Sequence, residues 1–207
     1  MPVTSRLQPH CASASLVRVA QYDRVVSTND DVYLRVAERF GEVLSRVADN
    51  QWGDPTPCDE WTVHDLGAHV IATHRRVYAL VDVEGLAAFD EEAPLVDQWD
   101  VVATTMRHAL GSVALAGALV PGRNGDQSFS QLVGGLLMFD TLCHTWDLAH
   151  ATGDDEALDV EAVAIAHERL GAVSDAIRVP GGFAAPIESA LDANAQTRFL
   201  NFVGRSV

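Results

Sequence analysis

Three features of the sequence predict an all-α fold, a four-helix bundle with a short helical appendage at the C-terminus. Apolar residues recur at helical spacing over long stretches, capping signals and Pro/Gly breaks separate those stretches, and no run alternates as a strand would. The 207 residues suffice for one full-sized core, and 48% hydrophobic composition excludes a disordered chain.

Taken in order, residues 1–27 set Arg6, Arg18 and Arg24 against one acid, Asp23, and keep no apolar period. They read as a loose, dispensable tail without the apolar core of a secretory signal, and 28–207 as the bundle. A first helix is expected from about Asp31 to Ala48, with Val36, Phe40, Leu44 and Val47 on one face; QWGDPTPCDEW then stops it. The second opens at Thr62, with Asp65 at capping-box spacing, and runs to about Val83. The third starts near Pro94, carries Trp99, Val102, Met106 and Val113, and ends at Pro121-Gly122. The fourth opens on the Ser128/Gln131 pair and reaches Gly153. A fifth spans about Asp159 to Ile177, and a short last one about Asp192 to Val203.

A net charge of −15 disfavours nucleic acid and acidic lipid surfaces, and no apolar run is long enough to span a membrane. All 14 basic residues are arginine, which reads as genome composition rather than function. Cys11, Cys58 and Cys143 are odd in number and far apart, which argues against a disulfide framework and for a reducing cytoplasm.

On the second helix Leu66, Val70, Thr73, Val77 and Leu80 form a core stripe that includes His69, whereas His64, His74, Arg75 and Arg76 fall at its edges or toward solvent. Alone, His69 is more simply a hydrogen-bonded core histidine. The fourth helix is apolar nearly all round between Gln131 and Ala151, yet it carries Asp140, His144 and Asp147 at i, i+4 and i+7. A buried carboxylate needs a partner. From spacing alone an internal Asp140–His144 ion pair and a metal site with His69 as third ligand account for the stripe equally well; two imidazoles and a carboxylate suit Zn²⁺, Ni²⁺, Mn²⁺ or Fe²⁺. Cys58 reads as a passive buried thiol, and Cys143 points away from His144.

PTPCDEWTVHDLGAHV (55–70), DTLCHTWDLAHATGDD (140–155) and the closing FLNFVGR (199–205) resemble the DinB-like superfamily. The resemblance is closest to the actinobacterial branch related to the metal-binding domain of mycothiol-dependent maleylpyruvate isomerase. It implies a four-helix bundle holding a divalent metal, zinc foremost, through His69, Asp140 and His144. Asp147 matches an acidic position one turn beyond, suited to orienting His144 or a bridging water. It also implies mycothiol as a cofactor whose thiolate meets the metal. Asp140 is a shorter arm than the His or Glu of many relatives, and two-domain members carry a C-terminal domain far larger than the stretch that follows here.

The leading functional reading is therefore a cytoplasmic, metal- and mycothiol-dependent isomerase or transferase acting on a small electrophile, with a small-molecule thiol and substrate as partners and a homodimer allowed. The alternatives are a non-catalytic metal or small-ligand binding module, and a structural helical dimer whose polar stripe is an internal ion pair.

Overall fold

The computed structural model describes the backbone from Ala14 and side chains from Asn29, apart from residues 60, 83–85, 87–88, 91, 124, 173–177 and 179–182. Helix α1 (Ala14–Ser45) starts well before Asp31 and ends close to its expected stop; Val32, Tyr33, Val36, Phe40, Val43 and Leu44 form its buried face. Helix α2 (Val63–Tyr78) is held at its start by the Thr62/Asp65 capping box, a device that contributes about 1 kcal/mol. Helix α3 (Leu95–Gly111) follows Pro94.

Two expectations for the next stretch are corrected. The third helix does not reach Pro121: Ser112 adopts an extended conformation, accepts from the Leu115 amide and starts a single-turn helix α4 (Val113–Ala116). The break turns Val113 out of the core, leaving it 93% exposed. Two short strands, β1 (Leu119–Val120) and β2 (Gln127–Ser128), then pair antiparallel, with Leu119 opposite Ser128. Pro121-Gly122 thus turns a hairpin rather than merely stopping a helix.

The long fourth helix is built in three pieces. Helix α5 (Phe129–Leu132) opens with the expected Ser128/Gln131 capping box, a π-helical segment follows (Val133–Leu137), and helix α6 (Met138–Thr152) ends on Gly153 in the left-handed region (φ 71°). Helix α7 (Val160–Gly171) is capped by Asp159, and helix α8 (Ala195–Phe202) by Asn194. The rest of the expected fifth helix, toward Ile177, falls largely on residues outside those described.

Helices α1 and α2 each pack on α3 and on α6, which puts them at opposite corners of a four-helix bundle. Gly41 permits the α1–α3 approach, since a Cβ there would stand 2.6 Å from the Trp99 indole nitrogen. Helix α7 covers α1 and α6, and α8 rests on α7. Enclosed in this way, α6 is buried without a break from Thr141 to Ala149, as its nearly all-apolar sequence requires. No described helix is long and apolar enough to cross a membrane.

Candidate metal centre

Helix α2 faces both α3 and α6, so its buried arc is wider than a single stripe: Gly67, Ile71, His74 and Tyr78 are covered along with Leu66, Val70, Thr73 and Val77. This corrects the placing of His74. It is fully buried, donates Nδ1–H to the Val70 carbonyl at 2.8 Å, and lies edge-on to Trp99. Burial outweighs the Val70 carbonyl and the Asp140 charge and pushes its pKa down to about 4, so it stays neutral. Leu80, by contrast, is 48% exposed. His69 stands at the edge of the arc, about a third exposed, where α2 meets α6.

On α6, Asp140 and His144 project side by side, one turn apart, toward His69. Asp140 Oδ1 lies 3.5 Å from His69 Nε2 and 3.6 Å from His144 Nε2, and the two imidazole centroids are 5.1 Å apart. The three donor atoms all fall within 4.8 Å of one another. The other oxygen of Asp140, Oδ2, is buried with no hydrogen-bond partner among the described residues. Burial raises the Asp140 pKa, but the hydrogen bond from His69 and the neighbouring His144 outweigh it, and the net shift is downward. The π-helical segment ends three residues before Asp140; such insertions widen a helix by one residue and recur at functional sites.

Behind His144 lies a second polar cluster. His144 Nδ1–H donates to Asp147 Oδ2 at 3.0 Å, and Asp147 is wholly buried. Arg205, from beyond α8, clasps that carboxylate through Nε (2.7 Å to Oδ1) and Nη2 (2.8 Å to Oδ2). Cys58 closes the group: its thiol donates to Asp147 Oδ2 at 3.2 Å and accepts from Arg205 Nη2 at 3.2 Å. The thiol expected to be passive is thus part of a charged network. Burial disfavours the Asp147 charge, yet the guanidinium and His144 hold its carboxyl well below the usual range. Burial likewise opposes a charge on His144, but Asp147, Cys58 and Asp140 overcome it and raise its pKa.

Residues 33–149 match the mycothiol maleylpyruvate isomerase N-terminal domain. The chain belongs to that family. Two uncharacterized proteins of Mycobacterium tuberculosis, from different strains, are each 35% identical to it over 153 residues, spanning 71% of this chain and 80% of theirs. No solved structure matches. The family is a DinB-like one, as the motifs implied.

Within this mycothiol maleylpyruvate isomerase N-terminal domain, the first cluster fits a divalent cation on two counts. Bonds of about 2.1 Å in a tetrahedral shell separate ligand atoms by about 3.4 Å, close to the two Asp140–His distances above. The unpartnered Asp140 oxygen is what a carboxylate prepared for an added ligand leaves behind. The Cys58–His144–Asp147 group also brings three donor types together, but Arg205 already supplies its cation. Trp61, which the sequence reading passed over, lies 4.5 Å from the His69 ring and 5.8 Å from that of His144, centroid to centroid. An open cleft of about 570 Å³, lined by Trp61, Asp65, Ala68, His69, Ala72 and Phe89, gives access from solvent.

Proposed function

We propose that this protein binds one divalent metal ion, zinc foremost, through His69, Asp140 and His144, and uses it with a low-molecular-weight thiol of the mycothiol type to isomerise or transfer groups on a small electrophile. The observation that carries the reading is the convergence of three ligand atoms within 4.8 Å beside an unpartnered carboxylate oxygen. Family membership supports the thiol.

A bound M²⁺ supplies Lewis acidity, lowering a coordinated thiol's pKa so that it is a nucleophile at neutral pH. The chain does the rest. Asp147 takes the Nδ1 proton of His144 in a hydrogen bond, which fixes the ring and keeps Nε2 directed at the ligand cluster. Trp61 shields the imidazoles on one side, and the cleft beside His69 gives thiol and electrophile a half-apolar wall formed with Phe89 and Ala72. Asp65 lines the same cleft, but its carboxylate is held by Thr62 in the capping box.

Elemental analysis of tag-free protein, followed by thermal-shift and turnover assays with thiols, tests the proposal. About one divalent ion per chain and thiol-dependent turnover are expected. Stoichiometric metal without such turnover would support the binding-module reading, and protein that takes up no metal would overturn both.

A further inference from the structure

The family match ends at residue 149, yet the site continues into Arg205. How Arg205 reaches it is determined locally. Helix α8 ends at Phe202, the Arg205 amide bonds back to the Leu200 carbonyl at 2.8 Å, and the Gly204 amide bonds to Asn201 at 3.0 Å. This is a Schellman termination, which needs a left-handed residue; Gly204 has φ 85°, and a Cβ there would sit 2.6 Å from that of Ala184. The turn sends the arginine back onto α6, where its side chain is only 11% exposed.

There four of the guanidinium's five N–H groups are engaged by the protein. Nε and Nη2 grip the two oxygens of Asp147, Nη2 also meets Cys58 Sγ, and Nη1 points to the Val203 carbonyl at 3.5 Å. One Nη1 N–H remains, too little for the two-pronged grip by which an arginine holds a substrate carboxylate. A bidentate clasp fixes the plane of a carboxylate, which a single bond from His144 would leave free to rotate. The chain of contacts then runs Arg205–Asp147–His144 Nδ1, with Nε2 on the far side of the ring facing Asp140.

We infer that Arg205 is a positioning residue of the metal site: acting through Asp147, it sets the orientation of His144, so the segment after the matched domain completes the site. This inference rests on the metal reading above. Ligand-supporting residues of this kind contribute roughly 10- to 100-fold in metal affinity.

The test uses the full chain, with Zn²⁺ affinity measured by chelator competition and ligand geometry by the d–d spectrum of the Co²⁺ form. Arg205→Gln is expected to weaken Zn²⁺ roughly 10- to 100-fold and shift the Co²⁺ bands. Arg205→Lys, which keeps the charge but not the fork, should recover part of the loss. Should Arg205→Gln fail to fold, the Arg205→Gln/Asp147→Asn pair removes both buried charges together and should fold, while showing the same loss. Gly204→Ala, which displaces the turn, should act in the same direction. Folded variants with parental Zn²⁺ affinity and an unchanged Co²⁺ spectrum would overturn the inference alone. A parent chain that binds no Zn²⁺, or binds it as tightly after His144→Ala, would overturn the metal reading and this inference with it.

Discussion

Two clusters of potential metal ligands share His144, one on each nitrogen of its ring, and they are finished to different degrees. On the Nδ1 side, Asp147 has no exposure and its oxygens are taken up by Arg205, Cys58 and His144. On the Nε2 side, Asp140 keeps a buried oxygen with no partner among the described residues, and His69 is about a third exposed beside a cleft. The same residue types therefore serve opposite ends. Where a guanidinium already neutralises the carboxylate, the cluster is a support; where none does, it is a place for an added cation.

The largest test of that contrast removes the shared residue. His144→Ala is expected to lower Zn²⁺ affinity by more than about 100-fold, because two protein ligands remain of three. Asp140→Asn should weaken binding less, since the amide keeps an oxygen but loses the charge. His64→Ala, exposed on the same helix as His69, should titrate like the parent in calorimetry. His74→Ala is unsuitable as that control because His74 is core. Parental affinity in His144→Ala would mean the ligand set is misassigned.

Next in size is the stability of the metal-free protein. Asp147→Ala strands a buried guanidinium and should cost about 3–5 kcal/mol in urea unfolding. Asp140→Ala, which breaks only partly exposed contacts, should cost about 1 kcal/mol or less. Equal losses would erase the distinction between support and binding cluster.

The most gradual effect concerns His74 of α2. His74 is neutral in the fold down to about pH 4, whereas in the unfolded chain it takes a proton near pH 6.5. Between those values the unfolded state binds the extra proton, so stability falls as pH is lowered through that window, by at most about 1.4 kcal/mol per pH unit. Urea midpoints measured from pH 7 to 4 should show this fall, and His74→Phe should flatten it. An unchanged slope in that variant would assign the effect to other groups.

Much of the bundle was legible because its signals are local. Thr62/Asp65 and Ser128/Gln131 announce helix starts within four residues, and the apolar sequence of α6 announces its burial. The three proposed ligands were legible for the same reason, as polar residues on faces that otherwise read as core. His74 was misplaced because Arg75 and Arg76 beside it suggest solvent, while the helix that covers it, α3, comes from elsewhere in the chain. The π-helical segment escaped because one inserted residue among VGGLL shifts the phase without changing composition; within it Leu136 is 53% exposed. Arg205 escaped because no periodicity links it to Asp147. Two hints were present: Arg205 ends the FLNFVGR motif, and a buried aspartate required a cation, but sequence alone does not pair the two.

The unbroken burial of Thr141–Ala149 has a dynamic consequence. A helix covered on all sides has no low-energy local opening, so its amides exchange with solvent only when the whole bundle unfolds. Asp140 stands at the border of that segment and His144 within it, which couples the site to global rather than local opening. A ligand binding only the folded chain slows global opening by the factor 1 + [L]/Kd, about 2.7 kcal/mol at a hundredfold excess over Kd. Hydrogen exchange along α6 would then register an occupant of the cleft in amides that never touch it.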